Sequence, residues 1–133
     1  MKNSIKVSLF ASALLVSAAA VAAPTAATSG TAMGGSAAGT SWSVTGGTAG
    51  TCPMLQENIV FALSANVGGG FTCTVAGVAI GTANSKGRGM IYTVTSAGGD
   101  SIRETSHAKF TTQADADSAA NTEAGTVHAA TSF

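Results

Sequence analysis

The chain is poor in the side chains on which most binding and catalytic chemistry depends. Charged residues make up 9% of its 133 positions and aromatic residues 5%, with only two prolines, two cysteines and two histidines. Each shortage removes a class of function. Two isolated histidines, His107 and His128, cannot supply the three or four ligands of a zinc centre, and no Cys-x-x-Cys redox pair is present. Lysine and arginine together number six and are scattered, so no basic patch offers itself to nucleic acid or to anionic lipid. No apolar run reaches the roughly 20 strongly apolar residues that a membrane-spanning helix needs.

Motifs that glycine-rich loops suggest also fail on spacing. A phosphate-binding loop places Gly-Lys-Ser/Thr after its fourth variable residue, whereas Gly81-Thr82-Ala83-Asn84-Ser85-Lys86-Gly87 puts the lysine before the glycine. Gly87-Arg88-Gly89 lacks the third glycine of a dinucleotide fingerprint, because Tyr92 stands there. Asp115-Ala116-Asp117 begins like a calcium loop, but Ala119, Ala120 and Thr126 occupy positions where that loop needs oxygen ligands and a glycine. No Gly-x-Ser-x-Gly nucleophile elbow occurs. Neither an enzyme nor a cofactor or metal site is expected.

What is there begins with an export signal. Lys2 and Lys6 make a basic start without an acid, Val7 to Val16 follows as an apolar stretch, and SAAAVAAP closes the segment with small residues. That order of basic, apolar and small is the substrate of a signal peptidase. Ala20-Val21-Ala22 places alanines where the peptidase needs them, so residues 1–22 are expected to be a signal peptide removed after Ala22. Cleavage one residue later would put Pro24 next to the scissile bond. The product is expected outside the cell or on its surface, with the periplasm as the alternative.

In the remaining 111 residues, Ala, Gly, Ser and Thr supply 67. Four bases (Lys86, Arg88, Arg103, Lys109) face six acids (Glu57, Asp100, Glu104, Asp115, Asp117, Glu123), a net charge of −2. Small side chains build a thin core, which calls for a staple or for neighbours. An oxidising compartment and two cysteines predict a disulfide between Cys52 and Cys73, worth roughly 3 kcal/mol for a loop of about 20 residues.

Periodicity predicts an all-β chain, mainly antiparallel, folded as a small sandwich or open barrel. Residues 23–50 read as a flexible Ala/Gly/Ser/Thr-rich arm with a short strand at 41–45, where Trp42 and Val44 alternate with small polar residues. Residues 51–133 read as a single β-rich domain. Ile59 to Val67 alternates as a strand, Gly68-Gly69-Gly70 reads as a turn, and Phe71 to Val75 as its hairpin partner. Further strands are expected at Val78–Thr82, Gly89–Ser96 and, after a Gly98-Gly99-Asp100 turn, Ser101–Thr105. Asp115 to Ala120 reads as one short helix with Gly125 as a stop, and Thr126 to Phe133 as a last strand.

These features predict a secreted structural subunit that self-assembles into a filament, fibre or surface coat. Inter-subunit strand addition is the expected mode, with Trp42 and Val44 in the assembly strand. In this general sense the chain resembles small exported pilin-like subunits, although it carries no prepilin cleavage motif. The partner is then another copy, with no nucleic acid and no membrane-spanning segment. A monomeric binding module, adhesin-like or inhibitor-like, is the alternative, and the scarcity of aromatics weighs against it.

Overall fold

A computed structural model describes residues 23–34, 40–96 and 102–130. The expected signal peptide, the Gly98-Gly99-Asp100 turn and the terminal Phe133 lie outside the described residues. The strands are β1 (Thr25–Ala26), β2 (Ala32–Met33), β3 (Thr40–Val44), β4 (Ile59–Leu63), β5 (Val67–Cys73), β6 (Val78–Asn84), β7 (Met90–Thr95) and β8 (Arg103–Ser106). One helix, α1 (Gln113–Ala130), follows. Hydrogen bonds order the strands into a three-stranded sheet, β1-β3-β4, and a five-stranded sheet, β2-β5-β6-β7-β8. The described residues are thus mainly antiparallel β with one helix, as periodicity predicts, and carry the Cys52–Cys73 disulfide that the two cysteines predict.

The glycine triplet is the first difference from that expectation. Gly68, Gly69 and Gly70 do not turn the chain; they lie inside β5, paired with Ala83, Thr82 and Gly81 of β6. The turn comes earlier, at Ser64–Val67, where Val67 N–H donates to Ser64 O at 3.0 Å. Asn66 sits there at φ 65°, a left-handed conformation that asparagine accepts better than most residues. The proposed hairpin is corrected with it: β4 pairs with β3, whereas β5 lies between β2 and β6.

The physical reason for the glycines is on the back of the larger sheet. A Cβ on Gly70 would stand 2.4 Å from the Cα of Asn121, and one on Gly81 would stand 2.3 Å from the carbonyl oxygen of Ala120. At Gly68 the Cα of Asp117 is only 2.8 Å away. Removing three side chains lets α1 lie against bare backbone. The helix answers with its own small residues, since Ala116, Ala120, Ala124 and Val127 are buried at helical spacing. A second core forms there, in which Ala83, Ile91 and Phe110 join Ala116 and Ala120.

The helix is also longer than expected. It runs through Gly125 to Ala130, so Gly125 is not a stop, and the strand expected from Thr126 is helical as far as Ala130. Burial of Val127 against the sheet outweighs the roughly 1 kcal/mol that an interior glycine costs a helix relative to alanine. Its start is fixed by a reciprocal capping box. Asp115 N–H donates to Thr112 Oγ1 at 3.1 Å, and Thr112 N–H donates to Asp115 Oδ2 at 3.0 Å.

On the front, the smaller sheet covers part of the larger one. Val44, Leu63, Phe71, Met33, Ala27 and the disulfide form this core, with Trp42, Leu55, Phe61, Val67 and Val78 packed around it. Within residues 23–50, expected as a flexible arm, β1, β2 and β3 are hydrogen-bonded into the two sheets. Thr25–Ala26 pairs in parallel with Trp42–Ser43, and Ala32–Met33 pairs with Gly70–Gly69. The Ser29 hydroxyl accepts from Cys73 N–H at 2.8 Å, anchoring the segment beside the disulfide.

Candidate functional site

The residues singled out by sequence come together on the front core. Cys52 and Cys73 are bonded with their Cα atoms 5.2 Å apart, tying the loop after β3 to the end of β5. Trp42 and Val44 lie in β3 directly across from Phe61 and Ile59 of β4. Val44 is buried and Trp42 half-buried, with its indole N–H buried and unpaired among the described residues. β3 is the middle strand of its sheet, flanked by β1 and β4. The exposed hydrogen-bonding edge next to Trp42 and Val44 therefore belongs to β4.

The four sheet edges among the described residues are unequal. β1 and β2 are two residues long, and β8 carries Arg103 and Glu104. Short length and charge are the usual protections of an edge against pairing with another chain. β4 has neither: Ile59-Val60-Phe61-Ala62-Leu63 is uncharged, and Ile59 and Val60 are 42% and 63% exposed. Beyond the cover of the smaller sheet, Ile80, Tyr92 and Val94 are exposed on the front of β6 and β7. Tyr92 and Val94 pair with Thr82 and Ile80 in register, so the three form one apolar stripe.

Between the sheets lies a cavity of about 320 Å³. Phe61, Leu63, Phe71 and Val78 are among its walls, and Ile59 and Ile80 are exposed at its rim. Its base includes Gly69, Met33 and Cys52. No charged side chain lines it.

Several polar groups elsewhere are engaged in structure. Asp115 is held below the usual carboxylate range, first by the Thr111 hydroxyl and then by Thr112. Burial pushes Asp117 up, opposed by the Gln113 side-chain amide, which donates to its Oδ1 at 2.6 Å. His107 stacks on Phe110 with ring centroids 4.9 Å apart, while His128 Nε2 lies 3.2 Å from the carbonyl oxygen of Gly77. Among the described residues no three His, Cys, Asp or Glu side chains cluster as metal ligands. No described helix is long and apolar enough to cross a membrane.

Periodicity could not find the β4 edge or the cavity, because both depend on which strands become neighbours. The one signal was the unbroken apolar run at 59–63. Comparison with protein-family models, with curated proteins and with solved structures finds no match to the chain.

Proposed function

We propose that the chain is an exported structural subunit that self-associates outside the cytoplasm by pairing the β4 edge of one copy with that of another. The observation that carries this reading is the contrast between edges, three of them short or charged and one long, uncharged and apolar. Two β4 strands meeting antiparallel about a twofold axis would join two three-stranded sheets into one of six strands. The backbone groups of β4 that now face water would then bond to protein, and Ile59 and Val60 would lose exposed surface.

A single twofold contact closes into a dimer. Growth into a fibre or coat needs a second contact, and the stripe of Ile80, Tyr92 and Val94 supplies an apolar surface for it. Alternating contacts of two kinds produce an open chain. The export signal and the disulfide support this reading by suiting the subunit to an oxidising exterior.

The test is Val60→Lys. Val60 points away from the core, so a lysine there leaves the fold intact and protects the edge in the way natural edges are protected. The mature protein, residues 23–133 with its disulfide formed, should elute above monomer size and show regular assemblies under negative stain. The variant should elute as a monomer. Equal assembly by both proteins would refute β4 pairing.

A further inference from the structure

The cavity between the two sheets points to a second property, at a site that shares Ile59 and Ile80 with the proposed assembly contacts. The geometry points to a binding site for the hydrocarbon chain of a small amphiphile, whose polar head stays in water at the rim.

The argument starts from Gly69. Its neighbours Gly68 and Gly70 face the helix, where a Cβ would collide with backbone. Gly69 faces the other way. A Cβ on it would meet Leu63 Cδ1 and Met33 Cε at 3.5 Å each, which is ordinary van der Waals contact, and its φ is not positive. Neither packing nor backbone conformation therefore requires glycine at 69. What its missing side chain does is leave the base of the cavity open.

The space that results is about 320 Å³. That is within the range of about 300–1,000 Å³ typical of small-molecule pockets, and an apolar cavity of roughly 150 Å³ already takes up benzene. The chemistry of the walls selects the ligand. Phe61, Leu63, Phe71, Met33, Val78 and Cys52 offer dispersion contacts, and no charged group compensates a buried ionic one. A charged or strongly hydrogen-bonding group would lose its water without replacement, so the complementary occupant is uncharged hydrocarbon. Of the lining side chains, Ile59 of β4 and Ile80 of β6 are about two-fifths exposed, so the cavity opens to solvent beside them. A chain entering there keeps its head outside.

The experiment uses residues 23–133 with the disulfide formed, carrying ¹³C-labelled isoleucine, leucine and methionine methyl groups. Decanoate and decanol are titrated below their aggregation limits. Saturable shifts at Ile59, Ile80, Leu63 and Met33 are expected with both compounds, because the chain and not the head is bound. Gly69→Leu, which fills the base, should weaken both by roughly tenfold or more, the burial of about two methylenes. Val78→Phe, which narrows the cavity from β6, serves as the second filling variant. Val60→Lys, expected to stay monomeric with Ile59 and Ile80 uncovered, should bind at least as tightly as the parent, so failure of assembly and failure of binding read out separately. The absence of saturable methyl shifts would overturn the proposal. So would unchanged affinity in both filling variants, or binding of the acid alone.

Discussion

Substituting alanine along Gly68-Gly69-Gly70 should give an alternating response, because successive residues of a strand face opposite sides of the sheet. At Gly70 the new Cβ would stand 2.4 Å from Asn121 Cα and 2.6 Å from Asn121 Cβ, whereas real Cβ contacts rarely fall below 3.0 Å. The helix must retreat by roughly half an ångström or more at that point. Retreat loosens Ala116, Ala120 and Ala124, each 0% exposed in the intact protein. Overpacking of this kind costs about 1–3 kcal/mol. Gly68→Ala meets the Asp117 backbone at 2.8 Å and belongs in the same class. Gly69→Ala has room, and removing a glycine from the unfolded chain should stabilise by about 0.4–1 kcal/mol. Urea unfolding followed by circular dichroism reads the three variants, with stabilities compared at equal m-values. A loss at Gly69→Ala as large as at Gly70→Ala, or a neutral Gly70→Ala, would refute the helix-against-glycine account.

Further expectations follow from the same contacts. Gly125→Ala should stabilise by about 1 kcal/mol, since a Cβ there meets only Thr72 Oγ1 at 3.8 Å; thermal melting checks it. Replacing Cys52 and Cys73 by serine together should cost about 3 kcal/mol in urea, with reductant destabilising the parent and leaving the double variant unmoved. For Asp117, whose carboxyl is raised by burial, the associated stability is present below its ordinary value of 3.8 and is lost as pH rises through its folded value. Asp117→Asn should therefore gain on the parent as pH increases from 3 to 7, and a gap that narrows over that range would contradict the burial.

Some of this architecture was legible in the chain and some was not. β6 and β7 follow from plain alternation, as in Met90, Tyr92 and Val94 against Ile91 and Thr93, because each strand has one face to the helix and one to the front. The disulfide follows from there being two cysteines in a chain whose start reads as an export signal. From sequence the glycines of β5 suggest a turn, because glycine signals both tight turning and close approach. Only the helix more than forty residues later decides between them. The sequence suggests too short a helix, because a stripe of Ala116, Ala120 and Ala124 on a chain rich in alanine has little contrast with its own outer face. Residues 23–34 gave no pattern at all, since two-residue strands of small side chains are defined by their partners. The candidate site shares this limit. Ile59 to Leu63 was visible as a strand, but its place at an edge and the opening beside Gly69 come from pairing and packing.

The central claim is edge pairing through β4, and amide hydrogen exchange at two protein concentrations tests it most directly. In mature protein the β4 amides that do not bond to β3 should exchange rapidly when dilute and become protected as concentration rises. Exposed amides of the charged β8 edge should stay unchanged. Exchange at β4 that is independent of concentration while the protein assembles would contradict the account, and would place the contact elsewhere on the molecule.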